Sequence, residues 1–243
     1  MTGAAIGPAD RIGAETLETM QAAPRYNRWQ YDRIAPFLGR RICEVGAGIG
    51  NISSLIRRAA PEVLVLVDTD PYYRQALQAR FGVAPEVIID ELTLPDGTAS
   101  DRFGKHRLDT VVALNVVEHI DQDVEALRCM AGMLAPGGRV VILVPALEGL
   151  FGSLDRELGH CRRYTRRSLS DRMRQAGFRV EQAFYFNLIG TLGWWYNARV
   201  RQVPRIPGWQ VRWLERFVPV LRLEDHISLP FGQSVIAIGA LDV

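Results

Sequence analysis

A few short stretches of this 243-residue chain carry side chains able to hold a ligand or move a proton. In Gly46-Ala47-Gly48-Ile49-Gly50 the alternating glycines let the backbone turn sharply and approach a bound molecule closely. Asp68 follows at about the spacing from such a loop at which a carboxylate accepts hydrogen bonds from both hydroxyls of a ribose. It also reads as a helix N-cap, although Asp70 fits that role better. Asp90-Glu91 supplies two more carboxylates, placed to meet an adenine edge, and Asn115-Val116-Val117-Glu118-His119 forms another polar cluster. The densest group of ionisable residues is Asp155 to Tyr164, with His160 at its centre. Histidine titrates near neutrality, so His119 and His160 are candidate general bases; each also reads as a residue that packs or ties down a loop. His106 and His226 lie in polar connections and read as surface residues. Glu118, His119 and His160 carry metal-binding atoms without a close ligand spacing, and no metal is expected.

These groups must be positioned by regular elements, which the apolar pattern supplies. Short strands are expected at Arg41–Val45, Val63–Val67, Glu86–Asp90, Leu108–Leu114 and Arg139–Val144. Val63-Leu64-Val65-Leu66-Val67 is an unbroken apolar run of the kind buried on both faces in a parallel sheet. Helices are expected at Arg25–Leu38, Asn51–Ala60, Tyr72–Arg80 and Gln122–Leu134, the last stopped by Pro136-Gly137-Gly138. Thr98–Arg107 reads as a polar connection, and the residues before Pro24 as a loose segment or lid. After Pro145 a loop runs to Tyr164, and Thr165 caps a helix that ends at Gly177. Two more strands, Phe178–Phe186 and Ser234–Leu241, flank a Trp- and Arg-rich segment, residues 187–230, read as a helical insertion covering one end of the sheet. Alternating strands and helices imply an α/β fold, and the ligand-binding candidates fall at the carboxyl ends of successive strands, where open α/β sheets bind ligands.

The loop reads G-x-G-x-G, with Asn51 where a dinucleotide-binding G-x-G-x-x-G would have its third glycine. Glu44 to Gly50 resembles instead the first motif of class I S-adenosylmethionine-dependent methyltransferases. Asp68-Thr69-Asp70-Pro71 resembles their acidic second-strand motif, and Asn115–Ile120 with Leu134–Gly138 their later motifs in order. Arg25–Trp29 and the segment Gly159–Tyr164 are similar in particular to a bacterial small-molecule group often encoded beside glycosyltransferases. The resemblance implies a Rossmann-like single domain, 1–243, of about seven mainly parallel strands with an antiparallel last strand. Residues 1–38 would form an N-terminal lid. The implied cofactor is S-adenosyl-L-methionine, held by Tyr26, Glu44, Gly46, Ala47, Gly48, Asp68, Thr69, Asp90, Glu91, Asn115 and Val116. His160, His119 and Tyr164 are the catalytic candidates, and Cys161 holds a variable position.

Lys and Arg number 29 against 27 Asp and Glu, a balance that gives no reason to expect nucleic acid as a partner. The expected partner is a small-molecule or lipid-like acceptor, methylated at oxygen. Arg162, Arg163, Arg166 and Arg167 read either as an anion-binding set or as a solvated face. The segment 187–230, with Trp194, Trp195, Trp209, Trp213 and Arg199, Arg201, Arg205, Arg212 and Arg216, reads as core packing, as the roof of an acceptor pocket, or as a peripheral membrane contact. No signal peptide or spanning run is apparent, three cysteines suggest no disulfide framework, and a cytoplasmic location is expected. A nucleotide-cofactor oxidoreductase and a non-catalytic S-adenosylmethionine-binding regulator stay open as alternatives.

Overall fold

The computed structural model describes residues 8–197 and 208–242. Seven strands form one sheet: β1 Arg41–Val45, β2 Val63–Asp68, β3 Val87–Glu91, β4 Leu108–Leu114, β5 Leu134–Pro145, β6 Arg179–Phe186 and β7 Ser234–Ala240. Their spatial order is β3-β2-β1-β4-β5-β7-β6. Strands β1 to β5 pair in parallel, and β7 runs antiparallel between β5 and β6. This is the seven-stranded Rossmann-like architecture expected. The order reverses between β1 and β4, and the crevice at the carboxyl ends of those two strands is where such sheets take a ligand.

Successive residues of a strand point to opposite faces, and the apolar runs therefore feed two cores. Cys43, Val45, Val65, Val67, Val111, Ala113, Val140 and Ile142 lie in one. Ile42, Leu64, Leu66, Val112, Val141, Leu143, Ile236 and Ile238 lie in the other. The helices α3 Ser53–Arg58, α4 Pro71–Phe81, α6 Asp123–Met133 and α8 Arg166–Gln175 occupy the places read from periodicity, with Asp70 and Thr165 capping α4 and α8. α2, Pro24–Ile34, sets Trp29 fully buried against Phe186, ring centroids 4.5 Å apart, with its indole N–H donating to Asp225 at 2.9 Å.

Four expectations need correction. Residues 8–21 form helix α1, Pro8–Gln21, rather than a loose segment. The polar stretch before β4 contains α5, Ala99–Gly104, which buries only Ala99 and Phe103 and so shows little periodicity. The loop after β5 contains α7, Ser153–Glu157. β5 begins at Leu134, taking in the Pro136-Gly137-Gly138 stop, because Leu108 pairs with Leu134 before the register shifts at Thr110. Within 187–230 lie α9 Leu188–Trp195 and α10 Gly208–Leu221. Trp194 is buried, whereas Trp195, Trp209 and Trp213 are exposed. Arg199, Arg201 and Arg205 lie outside the described residues. No helix among the described residues is long and apolar enough to cross a membrane.

Glu44 is a carboxyl group inside the central strand β1, buried, with the Ser53 hydroxyl donating to it at 2.5 Å. Burial pushes its pKa up to about 8, the Ser53 bond opposing and the charge of Asp68 adding. A folded-state pKa above the unfolded value stabilises the fold below the unfolded pKa, and that contribution is lost as pH rises through the folded one. The urea midpoint should therefore decline between about pH 4.5 and pH 8, and Glu44→Gln should flatten that slope relative to the parent. Trp29→Ala removes a fully buried indole and should cost about 3–5 kcal/mol in the same urea titration.

Candidate functional site

The crevice is built on backbone geometry that side chains would obstruct. Gly46 and Gly48 adopt φ of 67° and 54°, the left-handed region. A Cβ on Gly46 would lie 2.5 Å from Val116 Cγ2, across the crevice, and one on Gly48 would lie 2.9 Å from Leu17 Cδ1 of α1. α1 is held there by Asn51, whose side-chain amide donates to the Leu17 carbonyl at 3.1 Å. Gly50 serves packing instead, since a Cβ there would meet Phe81 at 2.5 Å.

Asp68 closes the loop from the neighbouring strand. One of its carboxylate oxygens accepts from the Gly48 N–H at 2.9 Å and the other from the Asp70 N–H at 3.1 Å. Each oxygen keeps further acceptor capacity toward the crevice. Burial raises its pKa, with those backbone donors opposing. Asp70 takes the capping role, accepting from Tyr72 N–H at 2.8 Å, which separates the two functions left open in the sequence. Asp90 and Glu91, at the end of β3, pair with Arg102 at 3.2 Å and Arg74 at 2.8 Å. Thr69 is exposed beside them. Asn115, at φ 55°, ends β4 with its N–H donating to the Leu143 carbonyl at 2.8 Å. Tyr26 is packed between Trp29 and Phe186, its hydroxyl accepting from the Asn187 amide at 3.3 Å. Burial pushes that hydroxyl up to about 12, and its contacts tie α2 to the end of β6.

The donor set suits a neutral adenosine-like ligand. The buried Asp68 carboxylate has both oxygens on backbone N–H groups of the loop and strand end, and the loop packs its third glycine against α4. Gly46, Gly48, Asp68, Asn115 and Val116 border the crevice between β1 and β4.

A second cluster adjoins the first, because the one-turn helix Val117–His119 follows directly on Asn115-Val116. The segment 152–164 is stitched to it: the Cys161 N–H donates to the Glu118 carbonyl at 2.7 Å, and Arg162 to the Ile120 and Asp121 carbonyls at 3.3 and 3.0 Å. Fully buried Asp155 is its hub. It accepts from the Gly152 N–H at 2.9 Å, Arg163 Nε at 2.8 Å and Trp194 Nε1 at 3.4 Å, and its Oδ1 lies 2.9 Å from His160 Nδ1. Burial alone would raise this carboxyl, but the bond from His160 and the charge of Arg163 hold it below the usual range. His160 meets His119 edge to face, ring centroids 4.8 Å apart. His119 is exposed; desolvation by the groups packed on its ring and the facing His160 lower its pKa to about 4. Glu118 completes the group, and ligand atoms of Glu118, His119 and His160 all lie within 4.8 Å of one another.

Tyr164, expected to be catalytic, is turned away from this cluster. It is buried in the core, and its hydroxyl donates to Asp123 at 2.9 Å, leaving its pKa well above normal through burial. The arginines, which read either as an anion-binding set or as a solvated face, are mostly committed to protein partners. Arg163 is buried on Asp155 with its guanidinium 4.6 Å over Trp194, Arg162 pairs with Asp121 and Asp123, and Arg166 lies over Tyr185. Asp155 and Asp123 were missed, because no spacing in the sequence marks a buried acid as a hub.

A family described as a methyltransferase domain matches residues 19–183. The tRNA U34 carboxymethyltransferase of Syntrophotalea carbinolica is 29% identical over 64% of this chain and 44% of its own length. The ubiquinone biosynthesis O-methyltransferase of Aeromonas salmonicida is 30% identical over 47% of each. The chain thus spans less than half the length of the curated relatives it matches. A solved complex between the Haloferax volcanii Trm112 methyltransferase activator and a methyltransferase contains a chain with TM-score 0.63, 15% identity and 98% coverage of both chains. A SAM-dependent methyltransferase from Thermotoga maritima gives 0.60, at 16% identity over 95% of this chain and 97% of that one.

These relatives overturn the partner expectation drawn from charge. Three are named for a tRNA nucleotide, so near-neutral net charge does not exclude nucleic acid. The physical reason is that net charge averages over the surface, whereas Arg57, Arg58 and Arg80 gather along one cleft at the amino ends of β2 and β3, where Glu86 pairs with Arg57 alone among them. With the family matched over more than half of its residues and the fold matching throughout, the chain belongs to the methyltransferase-domain family and has the class I S-adenosylmethionine-dependent fold.

Proposed function

We propose that the protein transfers a methyl group from S-adenosylmethionine to a hydroxyl oxygen of an acceptor held between the glycine loop and the His119–His160 cluster. When bound, the cofactor supplies an electrophilic methyl group for in-line displacement. The protein's task is to align the acceptor, exclude water and take up its proton. Asp68 is read as the acceptor of the ribose hydroxyls. Asn115 and Val116 are read as the wall beside the methionine part, with Glu44, Ala47 and Thr69 behind and beside the loop, and Asp90 and Glu91 toward the adenine. Tyr26 braces the floor of the site. Leu17 lies over Gly48, which supports a lid role for the first 38 residues. The single observation that carries the acceptor reading is His160. Its Nδ1 faces Asp155 at 2.9 Å, which favours the tautomer with the proton on Nδ1 and the basic lone pair on Nε2, and its ring meets that of His119 edge to face.

For the acceptor, a small or glycan-like hydroxyl compound is supported by Arg25–Trp29 and Gly159–Tyr164, the segments that resemble the bacterial small-molecule group. RNA is a second reading, supported by the relatives named for tRNA U34 and the Arg57, Arg58 and Arg80 cleft. A cytoplasmic setting is supported by the free thiols of Cys43, Cys129 and Cys161.

Calorimetry should show S-adenosylhomocysteine binding, weakened at least about tenfold in Asp68→Ala, since a buried acceptor for two hydroxyls is lost. Preferential binding of NAD(H) would instead favour an oxidoreductase. With labelled S-adenosylmethionine, purified tRNA and a hydroxylated small-molecule extract serve as separate arms. His160→Ala should lower turnover by about 10²-fold or more in the productive arm, with S-adenosylhomocysteine affinity unchanged. Binding without turnover in either arm would make the protein a regulator.

A further inference from the structure

Glu118 presents an anomaly that the methyl-transfer reading leaves unexplained. It is fully buried, yet apart from its own backbone N–H neither of its carboxyl oxygens has a hydrogen-bond partner. Buried carboxylates are ordinarily paired, hydrogen-bonded or bound to metal, because desolvating an unpaired one costs several kcal/mol or more. Arg163 is near enough to act on it electrostatically, but no hydrogen bond joins them, and Arg163 Nη2 is itself buried and unpartnered. The carboxylate is within 4.8 Å of ligand nitrogens on both His119 and His160.

The two imidazoles are oriented as metal ligands usually are, with one nitrogen held by an acceptor and the other free. His160 offers Nδ1 to Asp155 at 2.9 Å, and Asp155 is fixed in turn by Gly152, Arg163 and Trp194. His119 hydrogen-bonds the Gly159 backbone. Their rings stand at 84° to each other, and one ligand atom from each of the three residues lies within 4.8 Å of the others.

We infer that Glu118, His119 and His160 form a binding site for a first-row divalent transition-metal ion such as Zn²⁺. Two imidazoles and one carboxylate are a ligand set typical of catalytic zinc and of non-haem iron, in which three protein ligands leave positions open. Bonds of about 2.0–2.2 Å place ligand atoms about 3–4 Å apart, so closing around an ion requires a contraction of about an ångström, within reach of small side-chain rotations. The ion would neutralise Glu118 and supply its missing partner. Its use rests on the methyl-transfer reading: an acceptor hydroxyl entering an open position would be ionised by the ion, with His119 and His160 serving as ligands instead of bases. Its binding does not depend on that reading.

The test is metal titration of the full chain after chelator treatment, by calorimetry with Zn²⁺ and by visible absorption with Co²⁺. One equivalent should bind, with a Co²⁺ band of four- or five-coordinate intensity. Glu118→Gln and His160→Ala should each weaken binding by about 100-fold or more, and Asp155→Asn, which acts through His160, by about 10- to 100-fold. His226→Ala, outside the cluster, should leave binding unchanged. A parent protein that gives no such Co²⁺ band overturns the inference whatever the variants' stability. So does binding that survives in a folded Glu118→Gln/His160→Ala double variant. S-adenosylhomocysteine is titrated into the same samples: cofactor binding without metal binding defeats only the metal site, and metal binding without cofactor binding defeats only the methyl-transfer reading.

Discussion

The arrangement of the candidate site depends on one buried carboxylate. Asp155 has no exposed surface, and its two oxygens take the Gly152 N–H, the Arg163 and Trp194 nitrogens and the His160 ring. Such a charge is tolerable only because its partners satisfy it; removing one partner of a buried ion pair typically costs about 3–5 kcal/mol. Its geometry fixes three separate things. Arg163 carries the segment back to β5 through the Ala146 carbonyl, Trp194 brings in α9, and His160 is aimed at His119. The same acid therefore joins the sheet, the insertion and the reactive side chains.

Asp68 plays the corresponding part for the cofactor half. It sits at the end of β2 yet bonds the backbone of Gly48, so the loop after β1 is held by the neighbouring strand. That coupling is possible because β1 and β2 pair in parallel with Val45 opposite Val67, which brings their carboxyl ends level. The reversal of strand order beside β1 then opens the crevice toward Val116 and the turn carrying Glu118 and His119. Methyl donor and acceptor groups would thus be brought together by adjacent strand ends of one rigid sheet, with α1 laid across the top.

The sheet was legible in the sequence because its strands are short apolar runs bounded by Gly, Pro and acidic residues, and both cores follow from simple alternation. The proposed cofactor crevice follows from the same pattern: its candidate residues are strand-end residues. Two helices were not. α5 buries too few residues to show a period, and α1, though amphipathic, lies in a polar Gly- and Ala-rich stretch and is tied down by distant residues such as Asn27 and Asn51. Nor could spacing reveal that His160 meets His119, since the bridge between Ala146 and Tyr164 and the Cys161–Glu118 bond bring those segments together. Tyr164 shows the opposite error. A tyrosine among ionisable residues suggested catalysis, whereas its hydroxyl serves Asp123 in the core.

The most direct test of the account is a crystal structure of the full chain with S-adenosylhomocysteine. The account predicts density with the ribose on Asp68, the amino-acid part along Gly46 and Gly48, and the sulfur facing the open side of the His119–His160 cluster. A ligand seated elsewhere, as in the cleft lined by Arg57, Arg58 and Arg80, or a sulfur directed away from those histidines, would contradict it.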